Sequence, residues 1–422
     1  MREMKDSGIE WVGQIPFSWD VKPIRAKFRE VTEKNKLGIE KNALKFTYGN
    51  IVKKDNFDAA DDDYVANTIL NYMVVNPGTI MLNGLNLNFD FVTQRVALVK
   101  ERGIITSAYI AFAPILDDDI STRFFTYLLK AYDSCKAFHN MGGGVRKILN
   151  FVELKKQYIV YPTITEQKRI ANFLDAKCAE IDALTADIQT QIDILEQYKR
   201  SVITEAVTKG LNPDMEMKDS GIEWIGEIPV TWDIIRGKYL LKYLQKPVKE
   251  DDGVITCFRD GEVTLRSNRR EDGFTMSDKE IGYQGIDAGD LVVHGMDGFA
   301  GAIGISDSRG KASPVLNVMD TKQNKRYIMY YLRSMAYSDV FVALATGIRV
   351  RSCDLRWNKL ADLPYPVPSI KEQTAIVEYI DTTLEKTDVV ISKKKAQLET
   401  LDEYKKSLIY EYVTGKKKVP SI

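Results

Sequence analysis

The chain has 422 residues, of which 44% are hydrophobic and 28% charged, ordinary values for a globular protein of two or three domains. Lysine plus arginine equals aspartate plus glutamate at 59 each, so net charge by itself indicates neither a nucleic-acid nor a membrane partner. No apolar run is long enough for a signal peptide or a membrane span, and the four scattered cysteines form no zinc motif or disulfide framework, so we expect a cytoplasmic protein.

The chain opens with a segment that it later repeats. Met4–Asp20 reads MKDSGIEWVGQIPFSWD, and Met217–Asp233 reads MKDSGIEWIGEIPVTWD. A repeat of this length indicates that the chain consists of two halves built to one design. We expect the tryptophans of both copies to anchor the start of each half by packing against its domain; they are Trp11, Trp19, Trp224 and Trp232.

The interiors of the two halves have the composition of β-strands, with β-branched and aromatic runs broken by Asn, Gly and Asp. The predicted strands are Thr79–Leu82, Phe91–Val99, Ile104–Ala113, Gly253–Phe258, Leu291–His294 and Ala302–Ile305. Short helices are predicted at Asp119–Ser134 and Arg326–Tyr337. The interiors resemble each other only faintly, with Gly84 aligned to Gly295, so they have diverged while the ends were kept.

A long helix is predicted from Glu166 to about Thr208, with Thr165 as its N-cap and Gly210 marking its end. One apolar residue recurs every seven positions, which is typical of a coiled-coil stripe. The residues of this stripe are Leu174, Ile181, Ile188, Leu195 and Val202. Leu184 and Tyr198 are assigned to the second seam position, three residues further on in the heptad. The alternative is one amphipathic helix that packs only on its own domain.

A second helix of the same kind begins at Glu372 and repeats the first in sequence. Its stripe is predicted to shift position near its C-terminal end; the residues are Val377, Leu384, Ile391 and Leu398, followed by Leu401 and Leu408. Two helices of equal length with complementary stripes can pair with each other. We therefore expect a helix pair in this protein.

Catalytic motifs are absent from the sequence. The glycine-rich run 295–304 lacks the order of a nucleotide-binding loop and favours a turn between strands. His139 and His294 lie in different halves without a nucleophile motif, no Asn-Pro-Pro-Tyr-like methyltransferase motif occurs, and Glu153-Leu-Lys155 has no acidic partner at a nuclease spacing. We therefore expect a protein that is not an enzyme and needs no metal or cofactor of its own.

Arginine and asparagine side chains in the interiors are the candidates for DNA contact. Such side chains read guanine and adenine edges, and Lys and Arg also bind phosphates. Glycine-flanked arginines occur at the same point of both halves, which separates them from ordinary solvated loops. The predicted DNA-binding residues are Asn83, Asn86, Arg146, Lys147, Arg266, Arg269, Arg270, Arg349 and Arg351.

The two KDSGIEW openings, the Pro162-Thr-Ile-Thr-Glu-Gln segment with its copy at Pro368, and the Leu-x-x-Tyr-Lys-x-Ser helix endings resemble the specificity subunits of type I restriction–modification systems. The resemblance implies an α+β fold with two target recognition domains, each reading half of a bipartite DNA site, joined by an antiparallel pair of long helices. The implied domains are 1–165 and 211–371, the implied helices 166–210 and 372–415, with a tail at 416–422.

The same resemblance implies partners. Methyltransferase subunits would bring S-adenosylmethionine chemistry, and restriction subunits would use ATP and Mg to translocate and cut DNA. The chain itself would be a non-catalytic specificity subunit that binds double-stranded DNA and no membrane. The alternative is a scaffold that assembles partner proteins without reading DNA.

Overall fold

The computed structural model describes residues 2–54, 68–116, 118–269, 281–343 and 355–420. These residues belong to two units, one formed by Met1–Ile188 with Ala396–Ile422 and the other by Gln189–Lys395. The division passes through the middle of both long helices, whereas the implied domain boundaries lie at the helix ends.

The first unit combines twelve described strands with two short helices. The strands are β1 (Met4–Asp6), β2 (Gln14–Pro16), β3 (Asp20–Pro23), β4 (Phe28–Glu30), β5 (Leu44–Thr47), β6 (Asn50–Lys53), β7 (Met73–Val75), β8 (Ile80–Leu82), β9 (Val96–Leu98), β10 (Gly103–Ile105), β11 (Ile110–Pro114) and β12 (Tyr158–Tyr161). The helices are α1 (Thr122–Ser134), α2 (Phe151–Leu154) and the first part of the long helix α3 (Ile164–Lys209), and the end of the second long helix, from Ala396, also belongs to this unit.

The second unit also has twelve described strands, together with four short helices. Its described strands are β13 (Met217–Asp219), β14 (Glu227–Pro229), β15 (Asp233–Arg236), β16 (Leu241–Tyr243), β17 (Ile255–Cys257), β18 (Val263–Leu265), β19 (Gln284–Ile286), β20 (Leu291–His294), β21 (Ile303–Ile305), β22 (Gly310–Ala312), β23 (Leu316–Thr321) and β24 (Pro364–Val367). Its helices are α4 (Gly237–Leu240), α5 (Lys325–Tyr337), α6 (Val340–Ala343), α7 (Trp357–Asp362) and the first part of the long helix α8 (Ile370–Val413), and the end of α3, from Gln189, also belongs to this unit.

The two interiors have the same sheet topology despite their diverged sequences. The first unit contains the antiparallel order β4-β11-β8-β9, and the second contains β16-β23-β20-β21. Each also has matching two-stranded sheets: β1-β2 with β13-β14, β3-β12 with β15-β24, β5-β6 with β17-β18, and β7-β10 with β19-β22. The α+β fold class is confirmed.

Two predicted strands of the first interior are wrong in extent. The run Phe91–Val99 forms a strand only at β9, because the Asp90 carboxylate accepts hydrogen bonds from the backbone of Val92 and Thr93 and fixes a turn. The run Ile104–Ala113 is divided into β10 and β11 by a turn near Ser107. Apolar composition alone does not locate such turns.

The repeated opening segment is dictated by turn chemistry. In the first copy the Asp6 carboxylate accepts from the Gly8 backbone, the Ser7 hydroxyl accepts from Ile9, and Gly8 and Gly13 take positive φ. The second copy forms the same turn with Asp219, Ser220, Gly221 and Gly226. This requirement accounts for the Asp-Ser-Gly sequence in both halves.

The second tryptophan of each opening anchors it to the start of a long helix. Trp19 and Trp232 are buried, and their indole nitrogens donate to Glu166 at 2.8 Å and Glu372 at 3.0 Å. The packing prediction is therefore confirmed for these two residues. Trp11 is partly buried and also packs against the core of its unit, with its ring 5.6 Å from that of Tyr132, whereas Trp224 is 38% exposed.

The glutamine after each of these glutamates ties the long helix to the short helix of its unit. Gln167 is fully buried, accepts from the Ser121 backbone at 2.8 Å and donates to the Pro162 carbonyl at 2.9 Å. Gln373 makes the equivalent bonds, accepting from Asn324 and donating to Pro368. Both amides satisfy backbone groups at helix starts, where partners are otherwise lacking.

The N-cap of the first long helix is Thr163, not the predicted Thr165. The Thr163 hydroxyl accepts from the Glu166 backbone at 3.4 Å. In the second long helix the Ser369 hydroxyl accepts from the Glu372 backbone at 3.3 Å. Both pairs have the three-residue spacing of a capping box. Thr165 lies already inside the helix.

The predicted apolar stripe of α3 is covered, but the row of covered residues beside it is not the predicted one. Leu174, Ile181, Ile188 and Val202 are buried and Leu195 is half-buried. The second row lies four residues on, at Cys178, Thr185, Ile192, Lys199 and Ala206, while Leu184 and Tyr198 are 47% and 48% exposed. Positions three and four residues on flank the stripe on opposite sides, and the side of the partner helix decides which is covered.

The stripe of α8 does not shift. Val377, Leu384, Ile391 and Leu398 are buried or half-buried along one row. Leu401 and Leu408 belong to a second row that runs the whole way, together with Ile380, Thr387 and Lys394. The apparent shift arises because Thr387 and Lys394 make this second row polar in its middle.

The long helices run antiparallel within each unit. In the first unit Lys405 pairs with Asp182 at 2.5 Å, and the Tyr412 ring lies 4.5 Å from that of Phe173. In the second unit Lys199 pairs with Asp388 at 2.6 Å, and Lys394 donates to Gln191. Asp182 and Asp388 are equivalent positions of the repeat, as are Lys199 and Lys405. One ion pair is thus made twice, and the register is the same in both units.

None of the described helices combines the length and apolar character needed to cross a membrane.

Candidate nucleic-acid interface

Two loops of the first unit are joined through their backbones. The strand loop (residues 83–95) follows β8, and the glycine loop (residues 142–149) precedes α2. Leu149 donates to the Gly84 carbonyl at 2.9 Å, and Leu87 donates to the Lys147 carbonyl at 3.2 Å. A Cβ on Gly84 would lie 2.4 Å from the Leu149 carbonyl oxygen, so only glycine allows this approach.

The second unit makes the same connection. Gly295 follows β20 as Gly84 follows β8, and its carbonyl accepts from the Leu355 backbone at 2.8 Å. The buried Asn317 amide also donates to the Leu355 carbonyl, at 2.9 Å. Both units therefore place the loop after an equivalent strand of the four-stranded sheet against a residue just before a short helix, Leu149 before α2 and Leu355 before α7.

The structure brings the predicted DNA-binding residues of the first unit together on this loop pair. Asn83 uses its side-chain oxygen to accept from the Leu85 backbone at 3.1 Å, and Asn86 is exposed with φ 51°. Arg146 is exposed on the glycine loop, and Lys147 beside it is half-buried. Arg146 is therefore the most available cation of this set, whereas Asn83 stabilises a turn.

In the second unit, two predicted residues lie beside the β17–β18 hairpin. Arg269 pairs with Asp260 at 2.5 Å and Glu262 at 3.0 Å, and its guanidinium lies 4.2 Å from the Phe258 ring centroid. Arg266 is half-buried and donates to Thr256 at 3.4 Å. Contact of these residues with DNA stays a prediction, and Arg269 would have to leave its acidic partners. The predicted Arg270, Arg349 and Arg351 lie outside the described residues.

The residue that organises the strand loop is Arg95, which sequence reasoning placed in a strand. Its side chain is fully buried and donates to the backbone carbonyls of Asn83 at 3.1 Å, Leu85 at 2.8 Å, Asn86 at 3.4 Å and Asp90 at 2.7 Å. Its backbone donates to the Asp133 carboxylate at 2.8 Å, and burial raises the pKa of Asp133. A lone arginine inside a predicted apolar strand was the available signal.

A histidine holds the equivalent loop of the second unit. The Nδ1 atom of His294 accepts from the backbone of Met296 at 3.2 Å and of Asp297 at 2.9 Å. Asp297 lies 3.8 Å from Nε2 and is itself paired with Arg259 at 2.8 Å. Because both backbone donors require an unprotonated Nδ1, this loop depends on neutral imidazole.

The loop of the second unit is expected to open in acid. Burial lowers the pKa of His294 below its ordinary value of 6.5. As the pH falls, the imidazole of the open loop is therefore protonated at a higher pH than that of the closed loop, and protonation favours the open loop. The stabilisation is complete above about pH 6.5 and is lost as the pH falls through the pKa of the folded loop. Hydrogen exchange of residues 295–301, corrected for intrinsic rates, should therefore accelerate between pH 7.5 and pH 5.

Two controls accompany this experiment. The His294→Asn variant keeps a side-chain acceptor that does not titrate, so its exchange should not depend on pH after correction. The strand loop of the first unit, held by Arg95, should also remain protected. Equal acceleration in the variant would contradict the role of His294.

No group of three His, Cys, Asp or Glu residues that could hold a metal ion occurs within the described parts of the chain.

The sequence of the chain is similar to those of known DNA specificity subunits. The family model for the type I restriction modification DNA specificity domain matches residues 23–193. The MjaVIII type I specificity subunit of Methanocaldococcus jannaschii is 24% identical over 364 residues, covering 81% of this chain and 80% of the relative. The putative MjaX specificity subunit of the same organism is 22% identical over 430 residues, covering 97% and 96%.

Solved structures share the fold. A chain from a study of complex assembly and conformational transition of the type I R-M system superposes with a TM-score of 0.64 at 12% identity, covering 96% of this chain and 99% of that one. The HsdS subunit of Thermoanaerobacter tengcongensis gives a TM-score of 0.50 at 12% identity, covering 96% and 98%. These structures show the fold alone; the match to the domain model and to the two relatives confirms the family resemblance drawn from the repeated segments.

Proposed function

We propose that this chain, a relative of the specificity subunits of type I restriction enzymes, is the DNA sequence-specificity subunit of such a complex. Each unit would recognise one part of a bipartite DNA target. The chain would supply recognition and assembly, and the chemistry would belong to partner subunits. These partners would be methyltransferase subunits that use S-adenosylmethionine and restriction subunits that use ATP and Mg.

The observation that carries this proposal is the repeated loop pair on a diverged interior. Gly84 with Leu149 and Gly295 with Leu355 make the same backbone connection in both units. The side chains around that connection differ: Arg95 holds one loop and His294 the other. A common frame that presents different side chains is what two different half-sites require.

The neutral charge of the chain fits a shared interface. With 59 basic and 59 acidic residues, the chain by itself offers little long-range attraction to phosphates. Partner subunits would provide much of the salt-dependent, sequence-independent part of binding. The exposed Arg146 and neighbouring polar groups would then contribute mainly to discrimination.

A scaffold that assembles partners without reading DNA is the rival function. It would account for the antiparallel helices, whose ion pair is made in both units. It gives no reason for the interiors to diverge in sequence while keeping one topology. The two functions differ in a measurable way, because only a DNA reader determines which sequence is methylated.

Methylation mapping tests the proposal directly. Cells that express the methyltransferase partner should show a bipartite methylated motif when this chain is present and none when its gene is deleted. Replacement of Arg146 by alanine should relax or weaken one half of the motif, by about 1–3 kcal/mol if a base contact is lost. The same motif in the absence of the chain would exclude the specificity function.

A further inference from the structure

The strand loop of the first unit ends in an exposed apolar tip. Phe89 is 70% exposed, Phe91 is 54% exposed and Val92 is 92% exposed. Val145 of the adjoining glycine loop is 92% exposed and lies beside this tip, because its carbonyl accepts from the Asn88 side chain at 3.0 Å. Apolar side chains presented together in this way are uncommon on a protein surface that has no partner.

The backbone beneath the tip is held firmly. Four carbonyls of the loop accept from the buried Arg95 guanidinium, and the Asp90 carboxylate fixes the turn at Val92 and Thr93. The Phe91 ring stacks on His139 at 4.7 Å between centroids, and Leu87 is buried as an anchor. The loop is therefore ordered before any ligand binds, so that binding costs little further conformational entropy. This order favours a binding role for the tip over that of a mobile surface loop.

The charges around the tip favour a nucleic acid as its occupant. Arg146 is exposed next to Val145, Lys147 follows it, and Lys136 donates to the Phe91 carbonyl. Asp90, the carboxylate within the tip, has one oxygen committed to two backbone amides. An apolar tip flanked by cations suits stacked bases between phosphates, as in proteins that insert side chains into DNA.

We propose that Phe89 and Val92 form an apolar wedge that inserts against the bases of the half-site bound by the first unit. The inference rests on the proposed function, since it assumes that this unit binds DNA. The described residues of the equivalent loop in the second unit present no such pair, because Met296 is 52% exposed but Phe299 is half-buried. The wedge therefore makes the first half-site sensitive to how easily its base steps open.

The test uses the full chain assembled with its methyltransferase partner and a duplex carrying the motif found by methylation mapping. Single 2-aminopurine bases replace adenines in each half-site, and the base that is methylated stays natural because methyltransferases extrude it themselves. Binding of the unaltered complex should raise fluorescence at a step in one half-site. The Phe89→Ser/Val92→Ser double variant should lose this rise and bind about 10- to 100-fold more weakly.

Matched variants separate the wedge from other effects. Phe89→Leu keeps an apolar side chain and should retain most of the rise, whereas Leu116→Ser removes an apolar side chain that is 70% exposed elsewhere in the unit and should change neither signal nor affinity. Unchanged fluorescence and affinity in the double variant would overturn the wedge. Failure of the double variant to assemble with the partner, measured by native mass spectrometry, would also overturn it and make the tip a protein contact.

The wedge and the proposed function fail in different ways. If the unaltered complex shows no preference for the mapped motif over a scrambled duplex, the DNA-specificity function itself is wrong. If it prefers the motif but no base step in either half-site brightens, only the wedge is wrong.

Discussion

Replacement of Arg95 by methionine is expected to destabilise the first unit by about 3–5 kcal/mol, because the guanidinium is buried and its removal takes a donor from several buried carbonyls. Four loop carbonyls would each lose one donor, and the buried Asp133 carboxylate would lose a neighbouring positive charge. The strand loop should then exchange its amide hydrogens rapidly, and recognition of one half-site should disappear. Hydrogen exchange of residues 83–95 and the denaturation midpoint of the first unit measure both effects.

Arg102 provides a matched control in the same unit. Its side chain is 54% exposed, and it pairs with Glu40 at 3.0 Å. The Arg102→Met variant should lose less than about 1 kcal/mol, as exposed ion pairs do. Arg95→Lys should be intermediate, because one ammonium cannot reach four carbonyls as a planar guanidinium does. Equal losses for Arg95→Met and Arg102→Met would contradict the role assigned to Arg95.

Insertion of one heptad into each long helix is expected to lengthen the gap between the two half-sites of the target without changing either half-site. The insertions are a copy of Asp182–Ile188 placed after Ile188 in α3 and a copy of Val389–Lys395 placed after Lys395 in α8. Seven residues add about 10 Å to an α-helix, which equals about three base pairs of DNA. Methylation mapping of cells that carry the insertion would show the new motif.

The placement of both insertions keeps the contacts inside each unit. The pairs Asp182 with Lys405 and Lys199 with Asp388 retain their registers, since each pair lies wholly on one side of the insertions. An insertion in α3 alone gives the helices unequal lengths, so it should lower stability and methylation. A doubly extended chain that folds and methylates a motif with the original gap would show that the helices serve assembly only.

The repeated design was determined by sequence alone, because it depends on patterns that are local in the chain. The turn residues of the opening segments and the seven-residue stripes follow from backbone and helix geometry, which require no knowledge of distant residues. The buried Trp19 and Trp232 and the two long helices follow from those patterns. So does the family resemblance, which rests on the same segments.

Only the tertiary structure decided which flank of each stripe is covered. Leu184 and Cys178 both lie beside the stripe of α3, and burial of Cys178 follows from the side on which the partner helix lies. In the same way Leu401 lies in the second covered row of α8, and polar residues occupy the middle of that row. A heptad pattern gives the period of a seam, but both flanking rows have that period.

The candidate interface was predictable only in part for a similar reason. Glycines and arginines marked the loops, and Arg146 is exposed as a contact residue should be. The roles of Arg95 and His294 depend on carbonyls and amides that acquire their positions only when the loop closes around them. Sequence records the type of a polar side chain, whereas burial and the direction of its hydrogen bonds are fixed by the fold that surrounds it.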